Sequence, residues 1–244
     1  MAANPKQLRV VDARLTGPNT RVLEIECVEG GAFAVVGGKY IIVHTGLMLG
    51  EKAVKRAYSL MPVPGRPGRA LIAVKRLAGL GSQAMHALTI GATLGFSGPW
   101  GKLVPEGGLA PRTLLVATDT GITSALGIAE QHAMADSAAC ALSVIWLRES
   151  AETFLDVVSV RRRIEHAGAE WSAHDIGPIA GRLRAAEAWA LVEAQARRFE
   201  ASHVIASGDG AIVHPLRDSL SARLSTVTDV RIECFFNNPE KKSA

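Results

Sequence analysis

Glycine and proline crowd one end of this chain: 17 of its 24 glycines and 7 of its 11 prolines stand at or before position 108. Both residues interrupt regular structure, so the first half can hold only short strands joined by turns. Expected strands cover residues 8–15, 21–28, 33–43, 54–60, 69–76 and 93–97. Within 21–28, Val22, Glu24 and Glu26 alternate with Leu23, Ile25 and Cys27, the period of a strand with one buried face. Six short strands between glycine-rich turns predict a small closed antiparallel barrel.

Beyond residues 105–111 the rhythm changes. Apolar runs at 113–117, 139–147, 203–206 and 230–236 alternate with helical patterns at 122–135, 151–167, 183–199 and 211–224. In the third of these helices Trp189, Val192, Ala196 and Phe199 recur at three- and four-residue steps, an apolar stripe along one side. Strand–helix alternation predicts a parallel sheet covered on both faces. The expected architecture is therefore a barrel domain over 1–106 and a Rossmann-like parallel α/β domain over 107–244.

Composition narrows the function. A hydrophobic fraction of 48% excludes a disordered chain. No apolar run reaches the ~20 residues of a membrane span, and the start MAANPKQLRV has no apolar signal core, so a cytoplasmic protein is expected. A net charge of +4 spread along the chain suits acidic partners or phosphorylated ligands better than nucleic acid. Cys27, Cys140 and Cys234 are too few for a four-thiolate cluster. Glu165, His166, Glu170, His174 and Asp175 match no metal-ligand spacing, so no metal site is expected.

Open parallel sheets bind ligands beyond the carboxyl ends of their strands, at helix N-termini. Thr118-Asp119-Thr120-Gly121 and Ser207-Gly208-Asp209-Gly210 stand at such ends. Each reads equally as a helix cap or turn, and the charge of Asp119 opposes a pyrophosphate. In the first half, Arg56-Ala57-Tyr58-Ser59 offers a guanidinium for phosphate, a ring for stacking and a hydroxyl, or simply an exposed strand end. Gly79-Leu80-Gly81-Ser82 opens a short helical pattern that could present amides to a diphosphate, and Gly98-Pro99-Trp100-Gly101 follows it.

In order and spacing these segments resemble the ferredoxin–NADP⁺ reductase superfamily over nearly the whole chain. Arg56–Ser59 is similar to its Arg-x-Tyr-Ser flavin motif, Gly79–Ser82 to its Gly-x-x-Ser stretch, and Gly98–Gly101 to the end of its barrel. Glu233-Cys234-Phe235-Phe236 resembles its C-terminal ending. The resemblance implies an FAD-binding barrel joined to a nicotinamide-nucleotide domain. It implies that Arg56 binds the flavin phosphates, Tyr58 stacks on the ring, Ser59 lies near its reactive nitrogen, and Gly81 and Ser82 hold the diphosphate. Thr120 and Gly121 would form the nucleotide loop, Gly208 would border the nicotinamide, and Glu233 would handle a proton or a hydrogen bond. Arg148 and Arg182 would face a 2′-phosphate, favouring NADPH over NADH.

The implied activity is FAD-dependent electron transfer between NAD(P)H and a separate carrier such as ferredoxin or flavodoxin. Lys52, Lys55, Arg66, Arg69, Lys75 and Arg76 are the expected docking cations. The alternatives are a reductase serving an oxygenase or free flavin, and a flavin relay without nucleotide turnover. Three departures bear on the last: Asp119 replaces a glycine of the family pattern, Ser124 a proline and Ser207 a cysteine.

Overall fold

The protein, seen in a computed structural model, is described here over residues 6–17, 19–28, 35–135, 140–150 and 154–237. The expected segment starts at 33, 139 and 151 lie outside the described residues.

The first half folds into strands β1 (Lys6–Gly17), β2 (Thr20–Cys27), β3 (Tyr40–Leu49), β4 (Lys52–Ser59), β5 (Met61–Pro62), β6 (Arg69–Lys75) and β7 (Thr93–Trp100). Helix α1 (Leu80–His86) lies between the last two. The strands form one antiparallel sheet in the order β4-β3-β7-β1-β2-β6-β5. Six have seven residues or more, and β5 has two. Strand β3 runs six residues beyond the expected end at Val43. Its register with β4 shifts between His44 and Met48, where Gly46 takes φ +76°. Gly46 therefore lies at a bulge within a longer hairpin.

The second half contributes β8 (Arg112–Thr118), a 3-10 turn (Asp119–Gly121), α2 (Ile122–Met134), β9 (Ala141–Arg148), α3 (Val157–His166) and β10 (Glu170–Asp175). Helix α4 (Arg184–Phe199), β11 (His203–Asp209), α5 (Gly210–Arg223) and β12 (Asp229–Phe236) complete it. The five strands are all parallel, in the order β10-β9-β8-β11-β12. The chain progresses outward from β8 to β10, then returns to the other side of β8. The crevice between β8 and β11 is thus the topological switch point, where such sheets take ligands.

Three apolar clusters hold this arrangement. Leu8, Leu23, Ile25, Ile41, Ile72 and Phe96 fill the interior of the first domain. Leu114 and Val116 of β8 face α4 and α5. Leu115 and Ala117, on the opposite face of the same strand, join α2 and α3 in a cluster that also includes Val22, Met61, Leu71 and Leu103 of the first domain. That third cluster explains why β2 departs from its expected pattern. Leu23 and Ile25 point into the first domain, while Val22 on the other face is buried too. Glu24 is buried beside Val22 and accepts hydrogen bonds from Arg69 (2.9 Å) and Arg66 (3.2 Å).

At the seam the backbones meet directly. A Cβ on Gly37 would overlap the Gly127 carbonyl, and one on Gly127 of α2 would lie 2.5 Å from the Leu60 carbonyl oxygen. Alanine favours a helix interior by ~1 kcal/mol over glycine, but a fixed backbone oxygen leaves the methyl no space. We predict that Gly127→Ala is net destabilising by about 1–3 kcal/mol, lowering the thermal midpoint by roughly 2–12 °C. An unchanged or raised midpoint in a calorimetric scan would show that the seam is looser than described.

Candidate functional site

Arg56, Tyr58 and Ser59 lie on β4, an edge strand. Successive side chains of a strand alternate, so Arg56 and Tyr58 share one face and Ser59 takes the other. Tyr58 is half-buried against the first-domain core, and burial raises its phenol pKa well above the ordinary value. The phenol is therefore neutral in any physiological buffer. Ser59 is buried and its hydroxyl lies 3.1 Å from that of Ser124 on α2. The tetrapeptide thus reaches from the first domain to the first turns of the helix after β8.

Arg56 sits beneath the start of α1. A Cβ on Gly81 would lie 2.9 Å from the Arg56 guanidinium carbon and 2.7 Å from Val54. One on Gly79 would lie 3.5 Å from an Arg56 terminal nitrogen. Two segments 23 residues apart in sequence thereby form a single cationic cradle, tight at Gly81 and in ordinary contact at Gly79, with a charge suited to a diphosphate. Ser82 has another task. Its hydroxyl donates to the Lys75 carbonyl and accepts from the Leu77 amide, both at 2.8 Å, so it ties β6 to α1 and is committed to the fold.

The second cluster occupies the switch point. Asp119 follows β8 with φ +49°. Its carboxylate accepts from the Arg184 guanidinium through one oxygen and from the Glu149 amide, at 2.9 Å, through the other. Its carbonyl accepts from the Trp146 indole at 2.8 Å. Asp209, at the end of β11, caps α5 through the Ala211 amide (3.0 Å), accepts from Asn237 (3.1 Å), and stands 3.7 Å from Arg184 Nε. All three charged side chains are at least 96% buried. Desolvation raises the pKa of Asp119, and Arg184 is the largest opposing influence.

Thr120, Gly121 and Gly208 gather here, for reasons of packing. The two turns cross so closely that a Cβ on Gly121 would overlap the Ser207 carbonyl. Gly208, at φ +125°, would similarly strike Thr118. The Thr120 carbonyl accepts from the Thr123 hydroxyl (2.9 Å), and the Ser207 hydroxyl donates to the Gly121 carbonyl (3.1 Å).

The two expected 2′-phosphate arginines part company. Arg148 is buried at the end of β9, bonded to Asp175 at 2.6 Å and stacked 5.4 Å from the Trp146 ring centre. One of its terminal nitrogens is buried without a hydrogen-bond partner. Arg182 is exposed. The buried arginine of that segment is Arg184, two residues on, which sequence reasoning missed. His174 and Asp175 lie on β10, a strand the sequence reading also missed, and no cluster suited to a metal ion occurs among the described residues.

Glu233 sits on β12 beside Ser207 of β11. Burial pushes its pKa up to about 7, against the lowering influence of Lys39. One carboxylate oxygen is buried without a hydrogen-bond partner. The other would lie 3.6 Å from a Cβ on Gly101 of the first domain, and Lys39 donates to the Gly101 carbonyl at 2.7 Å. Desolvation, followed by the charge of Glu233, raises the pKa of nearby Tyr40. The acid therefore faces the first domain across the junction. Several of the expected docking cations are already paired: Arg66 and Arg69 with Glu24, and Lys75 with Glu149 at 3.8 Å. Lys52 and Lys55 are exposed.

Residues 7–104 match the family model of the oxidoreductase FAD-binding domain. Ferredoxin–NADP reductase B of Sorangium cellulosum (strain So ce56) is 38% identical over 122 residues, covering 50% of this chain and 49% of that protein. The chain thus spans about half the length of the curated relative it matches. The ferredoxin–NADP⁺ reductase from Plasmodium falciparum superposes with a TM-score of 0.70 at 14% identity, over 96% of this chain and 97% of that one. A cytochrome P450 reductase from Amycolatopsis superposes with a TM-score of 0.69 at 16% identity, over 94% of this chain and 69% of that one. Among the described residues, no helix is long and apolar enough to cross a membrane.

The elevated pKa of Glu233 has a definite sign. The folded value of about 7 exceeds the ordinary 4.5, so folding takes up a proton between them. The associated stability is complete below about pH 4.5 and is lost as pH rises through about 7. We predict that Glu233→Gln removes this slope and exceeds the parent protein in stability above pH 7, by up to about 3 kcal/mol. Urea unfolding at pH 5 and pH 8 checks this; parallel pH profiles for the two proteins would refute it.

Proposed function

We propose, from the premise that residues 7–104 belong to the oxidoreductase FAD-binding domain family and that the whole chain has the ferredoxin–NADP⁺ reductase fold, that this protein is an FAD-dependent oxidoreductase. It moves electrons between a nicotinamide nucleotide, preferably NADPH, and a separate one-electron carrier such as a ferredoxin or flavodoxin. The two working units are 1–106 and 107–244.

The observation that carries this reading is the cradle of Arg56 under Gly79 and Gly81, with Tyr58 on the same face of the edge strand. Its shape and charge suit the diphosphate of FAD. When bound, FAD supplies the redox chemistry, taking electrons as a pair and passing them on singly. The chain's own groups do the rest. Arg56 neutralises phosphate, the neutral Tyr58 offers a stacking face, and the Ser59–Ser124 bond fixes the flavin motif against the helix that follows β8. Glu233, with a pKa near 7, can hold or release a proton at the junction within the physiological range. The relative from Sorangium cellulosum, named a ferredoxin–NADP reductase, supports a ferredoxin as carrier. The P450 reductase fold likeness keeps an oxygenase component as the alternative acceptor.

A second reading, a flavin relay without nucleotide turnover, is favoured by the buried carboxylate of Asp119 at the switch point. Anaerobic mixing with NADPH and with NADH separates the two. Bleaching of the flavin band supports the reductase, and an unbleached band supports the relay.

We expect Arg56→Ala to weaken FAD retention by about 10–100-fold, the loss of one or two charge-assisted bonds, measured as flavin released on ultrafiltration. Undiminished retention would sink the cradle as the flavin site. We also expect Lys52→Glu with Lys55→Glu to slow reduction of an acidic ferredoxin at low salt while leaving reduction of a small dye unchanged. Equal losses with both acceptors would refute docking at this edge.

A further inference from the structure

The nucleotide loop of this chain carries its own anion. Asp119 and Asp209 leave the adjacent strand ends β8 and β11, and Arg184 enters between them from the start of α4. We infer that the Asp119 carboxylate occupies Arg184 in the place a nucleotide phosphate would take, so that Asp119 sets how tightly this chain binds a nicotinamide nucleotide. This deepens the reductase reading and rests on it.

Four observations converge. The cluster lies at the switch point of a parallel sheet, where this architecture receives ligands. Arg184 is 97% buried and gives one terminal nitrogen to Asp119 and the other to the Gly177 carbonyl. Its Nε has no hydrogen-bond partner and only the longer contact with Asp209. A buried guanidinium with an unclaimed N–H is matched to a bidentate oxyanion.

The two carboxylates also have unequal duties. Asp209 caps α5 and accepts from Asn237, so the fold requires it. Asp119 has a single further side-chain contact, the Glu149 amide, which an asparagine oxygen can accept equally well. Finally, Asp119 holds φ +49°, a region where asparagine and glycine sit with less strain than most residues. Beyond the ion pair with Arg184, neither sterics nor local bonding calls for an aspartate. Its charge is what distinguishes it, and that charge opposes any phosphate approaching Arg184.

The test uses the full-length, FAD-loaded protein and isothermal titration with NADP⁺ and NAD⁺, which report binding without turnover. Asp119→Asn and Asp119→Gly should each bind NADP⁺ about tenfold tighter or more than the parent, because a like charge has been removed from the phosphate's path. Adding Arg184→Gln to Asp119→Asn should abolish the gain. A gain with NADP⁺ alone assigns Arg184 to the 2′-phosphate; an equal gain with NAD⁺ assigns it to the pyrophosphate. Binding that is unchanged or weaker in both Asp119 variants overturns the inference, as does absence of nucleotide binding from every protein. Flavin content is read separately from the visible spectrum, so a colourless preparation indicts the flavin reading instead. Thermal scans confirm folding, and the glycine variant keeps the test open should the asparagine variant prove unstable.

Discussion

Helix α2 is the element on which the rest depends. Its apolar side chains bury against β8 and β9 of the parallel sheet and against Val22, Met61 and Leu71 of the antiparallel one. Its Gly127 brings two backbones into contact where no side chain intervenes. Protein interiors are close-packed and transmit displacement, so this seam fixes one sheet against the other. Two of the proposed functional positions are placed directly by it, and a third faces the same junction. Ser124, in the opening turns of the helix, meets Ser59; Asp119 immediately precedes it; and Glu233 approaches Gly101 across the same junction.

Much of this was legible because it rests on local rules. The turn residues announced short strands, and strand–helix alternation announced a parallel sheet. Arg56–Ser59 stood out by combining unusual residue types at fixed spacing. Strand β10 escaped notice because Glu170–Asp175 is polar and pairs on one side only, with β9; an edge strand needs no apolar run. The extension of β3 was hidden by Gly46, whose role as a bulge depends on the partner strand. The buried outer face of β2 was illegible for a similar reason. Glu24 alternates as an exposed residue would, yet it is buried and paired with two arginines.

Arg184 was not singled out by motif reading: Arg182, in the Gly181-Arg182 step, is exposed, whereas Arg184 is buried between two acids. Which of two nearby arginines turns inward is decided by carboxylates 65 and 25 residues away, a relation that exists only after folding. The bonds of Ser82 to Lys75 and Leu77 likewise exist only once β6 leads into α1.

The third apolar cluster also bears on how the chain can be divided. Sequence likeness marks residues 7–104 as a recognisable unit, but Val22, Met61, Leu71 and Leu103 of that unit are sealed by the other half. An excised fragment would present them to water as an oily flank, inviting self-association. The border drawn by sequence likeness therefore differs from the border of the apolar core.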